Sequence, residues 1–439
     1  MDERSEGAYS RRAPAPWAVK LAFVWGGELV SVLTSSILQM GFVWHITYAT
    51  GSASMLSLAS LAGFLPLALF GTFAGAIVDR LPLKVTLVGA DLFVAAVSAV
   101  VAAVSAAGEL PVWVIMVALF ARAVGSSLHT PAFQTLTPLV APPEHLTRLA
   151  GVTPAVQSGG YIRGTAVAAA IYPVWGLTAM IVLDVAGALF ATAAVLAARL
   201  DVGGAGAAGG QAGAGLPDEN GEPREGRPGL LAQMRALVAE TVAGYRVLRG
   251  YRGLFALLWC GFAFTLVFSP ISALFPIMTL GHFGGTTADA ATAEIAFSVG
   301  MIAGSALLAS WGGFKNRALT VVGATALYGA ATLAAGLLGS GGFVLFLGAS
   351  FLMGLSSPFY SGPQTALMQE KVPPEYLGRV FGLYGAIMSW AMPVGLAASS
   401  LFADAVGAPA WFVGAGAAMV ALAAVTWLIP SIRRIEETG

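Results

Sequence analysis

The sequence predicts an all-α integral membrane protein, with 12 transmembrane helices in two parallel, pseudo-symmetric six-helix bundles. Composition, the spacing of apolar runs and an internal repeat predict it. Of 439 residues, 57% are hydrophobic and only 10% charged, against about a quarter charged in an ordinary soluble domain. A bilayer core about 30 Å thick takes about 20 apolar residues per helical crossing. Runs of that size follow one another at 20–47, 53–78, 85–107, 111–133, 150–172, 175–198, 253–280, 291–311, 318–339, 342–368, 378–403 and 408–429.

Residues 1–19 are polar and carry Arg11 and Arg12, with Lys20 next. The apolar run behind them is too long and too poorly cleavable for a secretory signal, so it is read as a retained first span. Residues 20–200 form the first bundle, 201–252 a linker, 253–429 the second bundle and 430–439 a tail. Of 22 Lys and Arg residues, 20 fall on the side of the two termini and the even-numbered loops; Arg122 and Arg163 fall within spans. The positive-inside rule then places both termini in the cytoplasm of a multi-pass protein of the cell (inner) membrane. The Gly- and Ala-rich first part of the linker is expected to be disordered. Its second part, LLAQMRALVAETVAGYRVLRGYRG (230–253), suits a helix on the cytoplasmic leaflet or an extension of the seventh span.

The halves repeat. PPEHLTRLAG (142–151) answers PPEYLGRVFG (373–382), Gln134-Thr135 answers Gln364-Thr365, and VTLVGAD (85–91) answers LTVVGAT (319–325). Parallel repeats of six spans are the organisation of transporters that rock two bundles about a midplane site.

Between spans two and three, Gly71-x-x-x-Gly75-x-x-x-Asp79-Arg80-x-x-x-Lys84 resembles the signature loop of the major facilitator superfamily. Arg122-Ala-Val-Gly125 resembles its second motif. PAFQTLTPLV (131–140) resembles the branch of twelve-span drug/proton antiporters that includes macrolide exporters, a siderophore exporter and a lysophospholipid transporter. The resemblance implies a secondary exporter of amphipathic small molecules working by proton-coupled alternating access. A lysophospholipid flippase or siderophore exporter of the same fold is the alternative, and a non-transporting receptor or scaffold the third reading.

In that family the loop is a latch for the outward-facing state. Glycines let helices approach closely, and Asp79, Arg80 and Lys84 can bond groups that meet only when the helix ends close. A purely topogenic role for Arg80 and Lys84 is the competing account. The second-half copy, SWGGFKNRAL (310–319), keeps Lys315 and Arg317 but lacks the acid. Many antiporters of the superfamily carry a Gly-Pro motif in span five; here the segment reads GGYIRGTAVAAA (159–170), which leaves antiport open.

A charge near the middle of a span costs about 2.5–3.5 kcal/mol on insertion scales, so each needs a partner or a function. Five are taken as such mid-span charges: Glu28, Asp91, Arg122, Arg163 and Asp184. Glu28, Ser31, Ser35 and Gln39 are spaced three, four and four apart and share a helical face that must look into the bundle or a watery cavity. Glu28 is the first candidate proton carrier, with cation attraction or a structural ion pair as alternatives. Arg122, Ser126 and His129 share a second face. Arg122 is read as holding a proton-bearing acid or as an ion-pairing packing residue, and His129 as an interfacial histidine. Asp91 is assigned to the latch network, with a proton site as the alternative, and Asp184 to packing or pairing, with a functional role as the alternative. Arg163 would attract an anionic head group or balance Glu28. Gln157 and Tyr161 share another face, where Tyr161 suits a drug-like ligand or the core.

Asp91 aligns with Thr325 and Arg163 with Val394, so the charged chemistry is expected in the first half. The second half is expected to supply an apolar wall from Phe262, Phe268, Phe359, Tyr360, Tyr384 and Trp390. No phosphate-binding loop accompanies these residues, and 4 histidines with the single Cys260 form no metal or disulfide framework. An enzyme, a metal or a cofactor is therefore not expected. The expected partners are an amphipathic small molecule, protons and lipids, with no nucleic acid, and the chain is read as a monomer.

Overall fold

A computed structural model describes residues 16–78, 80–149, 152–198 and 230–436. Asp79, Gly151, Arg11, Arg12 and the Gly-rich linker lie outside the described residues. The first half runs through α1 (Pro16–Thr50), α2 (Ala53–Val78), α3 (Leu83–Ala107), α4 (Val112–Val140), the short α5 (Leu146–Leu149) and α6 (Val152–Ala197). After α7 (Leu230–Gly250), the second half runs through α8 (Arg252–Ile277), α9 (Thr287–Trp311), α10 (Arg317–Leu337), α11 (Phe343–Lys371), α12 (Pro374–Val406), α13 (Ala408–Leu428) and α14 (Pro430–Arg433).

Among the described residues, 11 helices are long and apolar enough to cross a membrane. One of them, α6, makes two crossings. Gly176 inside it takes φ 66° and ψ −169°, backbone angles a residue without Cβ adopts without penalty, so the helix ends and restarts in a new direction there. The result is 12 crossings that alternate between a face bearing residue 16, here the terminal face, and the opposite, far face.

The two bundles use one packing scheme. In the first half α2 lies on α4, α3 on α6, and α1 on α6; in the second α9 lies on α11, α10 on α13, and α8 on α12 and α13. Between the halves α2 meets α12 and α6 meets α9, with Tyr161 of the first arm of α6 in electrostatic reach of Glu294 on α9. Adding six spans to one of these contacts generates the other, which is the signature of a pseudo-twofold axis.

The apolar core is shared unequally between the two faces. At the far face one cluster joins both halves, including Trp44, Phe42 and Leu56 of the first and Ile271, Phe275, Phe346 and Phe412 of the second. At the terminal face the core splits into a first-half cluster around Leu21, Leu87 and Leu136 and a second-half cluster around Leu254, Leu367 and Ile432. A polar clasp reinforces the far side. Ser52 Oγ donates to Asp404 Oδ2 (2.6 Å), Ser54 N–H donates to Asp404 Oδ1 (3.1 Å), and the Asp404 N–H donates back to Ser54 Oγ (3.2 Å). Asp404 thus caps the start of α2 from the opposite half.

α7 is a separate helix and not an extension of span seven. Tyr251, at φ −96° and ψ 78°, breaks the chain between α7 and α8. α7 lies along α12 and buries Leu248 in the second-half cluster, while Arg246 and Arg249 stay exposed.

Candidate functional site

Five helices of the first half, α1, α2, α3, α4 and α6, line a cavity of about 490 Å³, within the roughly 300–1,000 Å³ common for small-molecule sites. The α1 stripe of Glu28, Ser31, Ser35 and Gln39 faces it, as do Arg122, Ser126 and His129 of α4, Gln157 and Tyr161 of α6, and Asp91 of α3. Gly160 and Gly164 set the distance between α1 and α6: a Cβ on either would come within 2.7 Å of Val32 or Ser36. The glycines of span five therefore provide close packing without the Gly-Pro motif.

Arg122 and Asp184 form a closed pair. Arg122 Nη2 donates to Asp184 Oδ1 (3.0 Å) and to Ser35 Oγ (3.2 Å), while Nη1 donates to Asp184 Oδ2 and to Ser98 Oγ. Ser35 and Ser98 hydroxyls also donate to the two Asp184 oxygens, at 3.0 and 2.7 Å. With Asp184 1% and Arg122 12% exposed, this two-pronged pairing satisfies both ions internally.

Glu28 and Asp91 share the other partner. His129 Nε2 lies 3.8 Å from Glu28 Oε2 and 3.4 Å from Asp91 Oδ1, with the Phe133 ring stacked on the imidazole at 5.9 Å. His129 is thus a half-buried bridge between two acids in the cavity, not an interfacial side chain. Asp91, assigned from the sequence to the latch network, stands in the cavity beside it. The spacing of Arg122, Ser126 and His129 put the imidazole on one helical face with Arg122, and the structure turns that face to the cavity. What sequence could not supply was α3, whose Asp91 arrives only through tertiary packing.

The second half presents rings. Phe264 stacks on Tyr360 at 4.2 Å and on Phe268 at 6.2 Å, and Tyr328 stands edge-on to Phe264 (5.5 Å) and Phe268 (5.7 Å). The Tyr360 hydroxyl is buried with no hydrogen-bond partner among the described residues. The Tyr384 hydroxyl donates to Gln364 Oε1 (3.0 Å), and Gln364 Nε2 donates to the Leu257 carbonyl (3.1 Å). None of the six expected wall residues lines the first-half cavity; Tyr360 and Tyr384 pack within the second half. Phe262 packs on Trp259, Phe359 is buried against Trp311, and Trp390 is 43% exposed. Helical spacing explains Phe262: two residues from Phe264 it points about 200° away, whereas Phe268, four on, returns to the same side.

The family model described as Major Facilitator Superfamily matches residues 24–317 and 257–438. This chain belongs to the Major Facilitator Superfamily. It is 42% identical over 420 residues to macrolide efflux protein A of Streptococcus pyogenes, covering 96% of this chain and 98% of that protein. It is 43% identical over 346 residues to macrolide efflux protein A of Enterococcus faecalis, covering 79% and 100%. The fold is similar to that of a POT family transporter solved in complex with 5-aminolevulinic acid, at TM-score 0.69 and 13% identity, covering 94% of this chain and 96% of that one.

In this superfamily member the signature-loop glycines are uncrowded. A Cβ on Gly71 or Gly75 would meet nothing within 4 Å, and Gly71 borders a groove between α2, α7 and α12. Arg80 and Lys84 sit at the α2–α3 turn, each partly buried. Arg163 is exposed and absent from the cavity lining. No ion pair joins it to Glu28 among the described residues, so it does not balance that acid.

The expectation that ionic groups are confined to the first half does not hold. Glu294 of α9 borders a second cavity with Phe268, Ile271, Ser272, Phe275, Phe297 and Tyr328. α9 begins at Thr287, four residues before the predicted start, and this puts Glu294 about two turns inside the helix. A Thr286–Asp289 capping box marks that start, and the TTAD pattern was available in the sequence as a helix signal.

Proposed function

We propose that this superfamily member is a secondary exporter of amphipathic small molecules, macrolides among them, coupled to protons and working by alternating access. One observation carries the coupling: Glu28 and Asp91 share a single imidazole in the cavity, while the one cavity arginine is occupied by Asp184. Two ionised acids beside one neutral imidazole would leave two uncompensated charges away from water, which is expensive. The cluster therefore holds at least one proton when the cavity is sealed, and can release it when water or a cationic substrate enters. Kinship with two macrolide efflux proteins at 42% and 43% identity supports the cargo.

The arrangement of the halves supports the cycle. With the terminal face assigned to the cytoplasm by its basic residues, the cavity of this conformation faces inward. The joined core and the Asp404 clasp seal the outside. Reversal separates the far face and brings the uncrowded Gly71 and Gly75 against the second half, where the Asp79–Lys84 loop acts as the opposing latch.

The test is erythromycin movement in inside-out membrane vesicles. We expect uptake driven by an imposed inward-acidic gradient, with alkalinisation of the lumen on adding drug. Uptake that ignores the gradient defeats the proton coupling, and the absence of uptake defeats the cargo assignment.

A further inference from the structure

We infer that Glu294 and the rings around it form a cation-receiving subsite that takes the positively charged amine of the transported molecule. This deepens the export reading above and rests on it. The niche is built from Phe268, Ile271, Phe275, Phe297 and Tyr328, with the Glu294 carboxylate among them. No ion pair or hydrogen bond joins Glu294 to another side chain among the described residues, unlike Asp184 with its arginine and two hydroxyls. Half-buried among rings, the carboxylate lacks the hydrogen-bonding partners that normally accompany a charge withdrawn from water.

The surroundings select the missing partner. Phe268, Phe275, Phe297 and Tyr328 supply rings, and a ring face attracts an ammonium group. The cavity, about 50 Å³, exceeds what one water needs several-fold and suits a small alkylated ammonium head. One residue links it to the first-half chamber. The Glu294 carboxylate interacts electrostatically with the hydroxyl of Tyr161, and Tyr161 lines the first-half cavity. A molecule lying in that chamber with its amine toward the second half would seat the charge at Glu294, among Phe268, Phe297 and Tyr328.

The test compares three ligands with one skeleton in equilibrium binding to the purified full chain: erythromycin, protonated at its dimethylamino group; its quaternary N-methyl derivative, permanently charged; and its N-oxide, neutral at pH 7. Glu294→Gln is expected to weaken both cations about tenfold and to leave the N-oxide within about twofold, with Phe268→Leu intermediate. Glu294→Asp, which keeps the charge, should retain most of the discrimination, and matched elution and melting temperature exclude misfolding. Equal losses for all three ligands, or none, would overturn the subsite while leaving export intact. If the wild type binds no macrolide, the export reading has failed instead. Benzyltrimethylammonium against its neutral isostere neopentylbenzene then decides the subsite, which fails if Glu294→Gln affects both alike or neither.

Discussion

The two halves of this protein share a packing scheme and differ in their chemistry. In the first, ions are tied to one another: Arg122 to Asp184, and Glu28 and Asp91 to His129. In the second, rings stack on rings and one acid, Glu294, stands among them. Asp91 and its repeat partner Thr325 show how the divergence arises. Both are buried at matching points of α3 and α10, but the Thr325 hydroxyl donates to the Val321 carbonyl of its own helix (2.9 Å), whereas Asp91 must find its partner on α4. A repeat constrains where helices touch, through backbone spacing and small residues. It leaves the inward-facing side chains free to specialise.

The largest test of this contrast is the Arg122–Asp184 pair. Arg122→Met strands a buried carboxylate and should cost about 3–5 kcal/mol, while the Arg122→Met/Asp184→Leu double variant should recover most of it. Thermal unfolding of purified protein measures both, and a single variant as stable as the wild type would show that the first half does not depend on internal pairing.

Next in size is proton coupling. Glu28→Gln should lower gradient-driven erythromycin uptake about tenfold or more and leave drug exchange without a gradient nearly intact, since only the charge-switching group is lost. Thr325→Val in the second half should change neither by more than about twofold, because it removes a bond internal to one helix. Comparable losses from the two would erase the difference between the halves.

A smaller effect is expected at the clasp. Asp404→Ala removes hydrogen bonds worth about 0.5–1.5 kcal/mol each, so the far-open population should rise several-fold. In a Cys260→Ser background, a cysteine at position 39 would report this as faster labelling by an impermeant maleimide from the far face. An unchanged rate would mean that the apolar cluster alone holds that side.

The smallest effect separates neighbouring rings. Phe268→Ala should raise the erythromycin KM about threefold by removing one face of the stack, and Phe262→Ala, two residues away on the other side of α8, should leave KM unchanged. Equal effects would redraw the second-half wall.

The membrane-spanning class, the number of crossings and the twofold repeat were legible in the chain because lipid imposes them one segment at a time: each crossing must satisfy its own backbone and present its own apolar surface. So was most of one cavity face, since the stripe from Glu28 to Gln39 follows from helical spacing alone. Partnerships between helices were not. That Arg122 meets Asp184 and not Glu28, that His129 stands between two acids, and that Glu294 lies among rings all depend on how helices far apart in sequence rotate and approach. Side-chain spacing gives the direction of a residue on its own helix, and only the packed bundle decides what stands opposite.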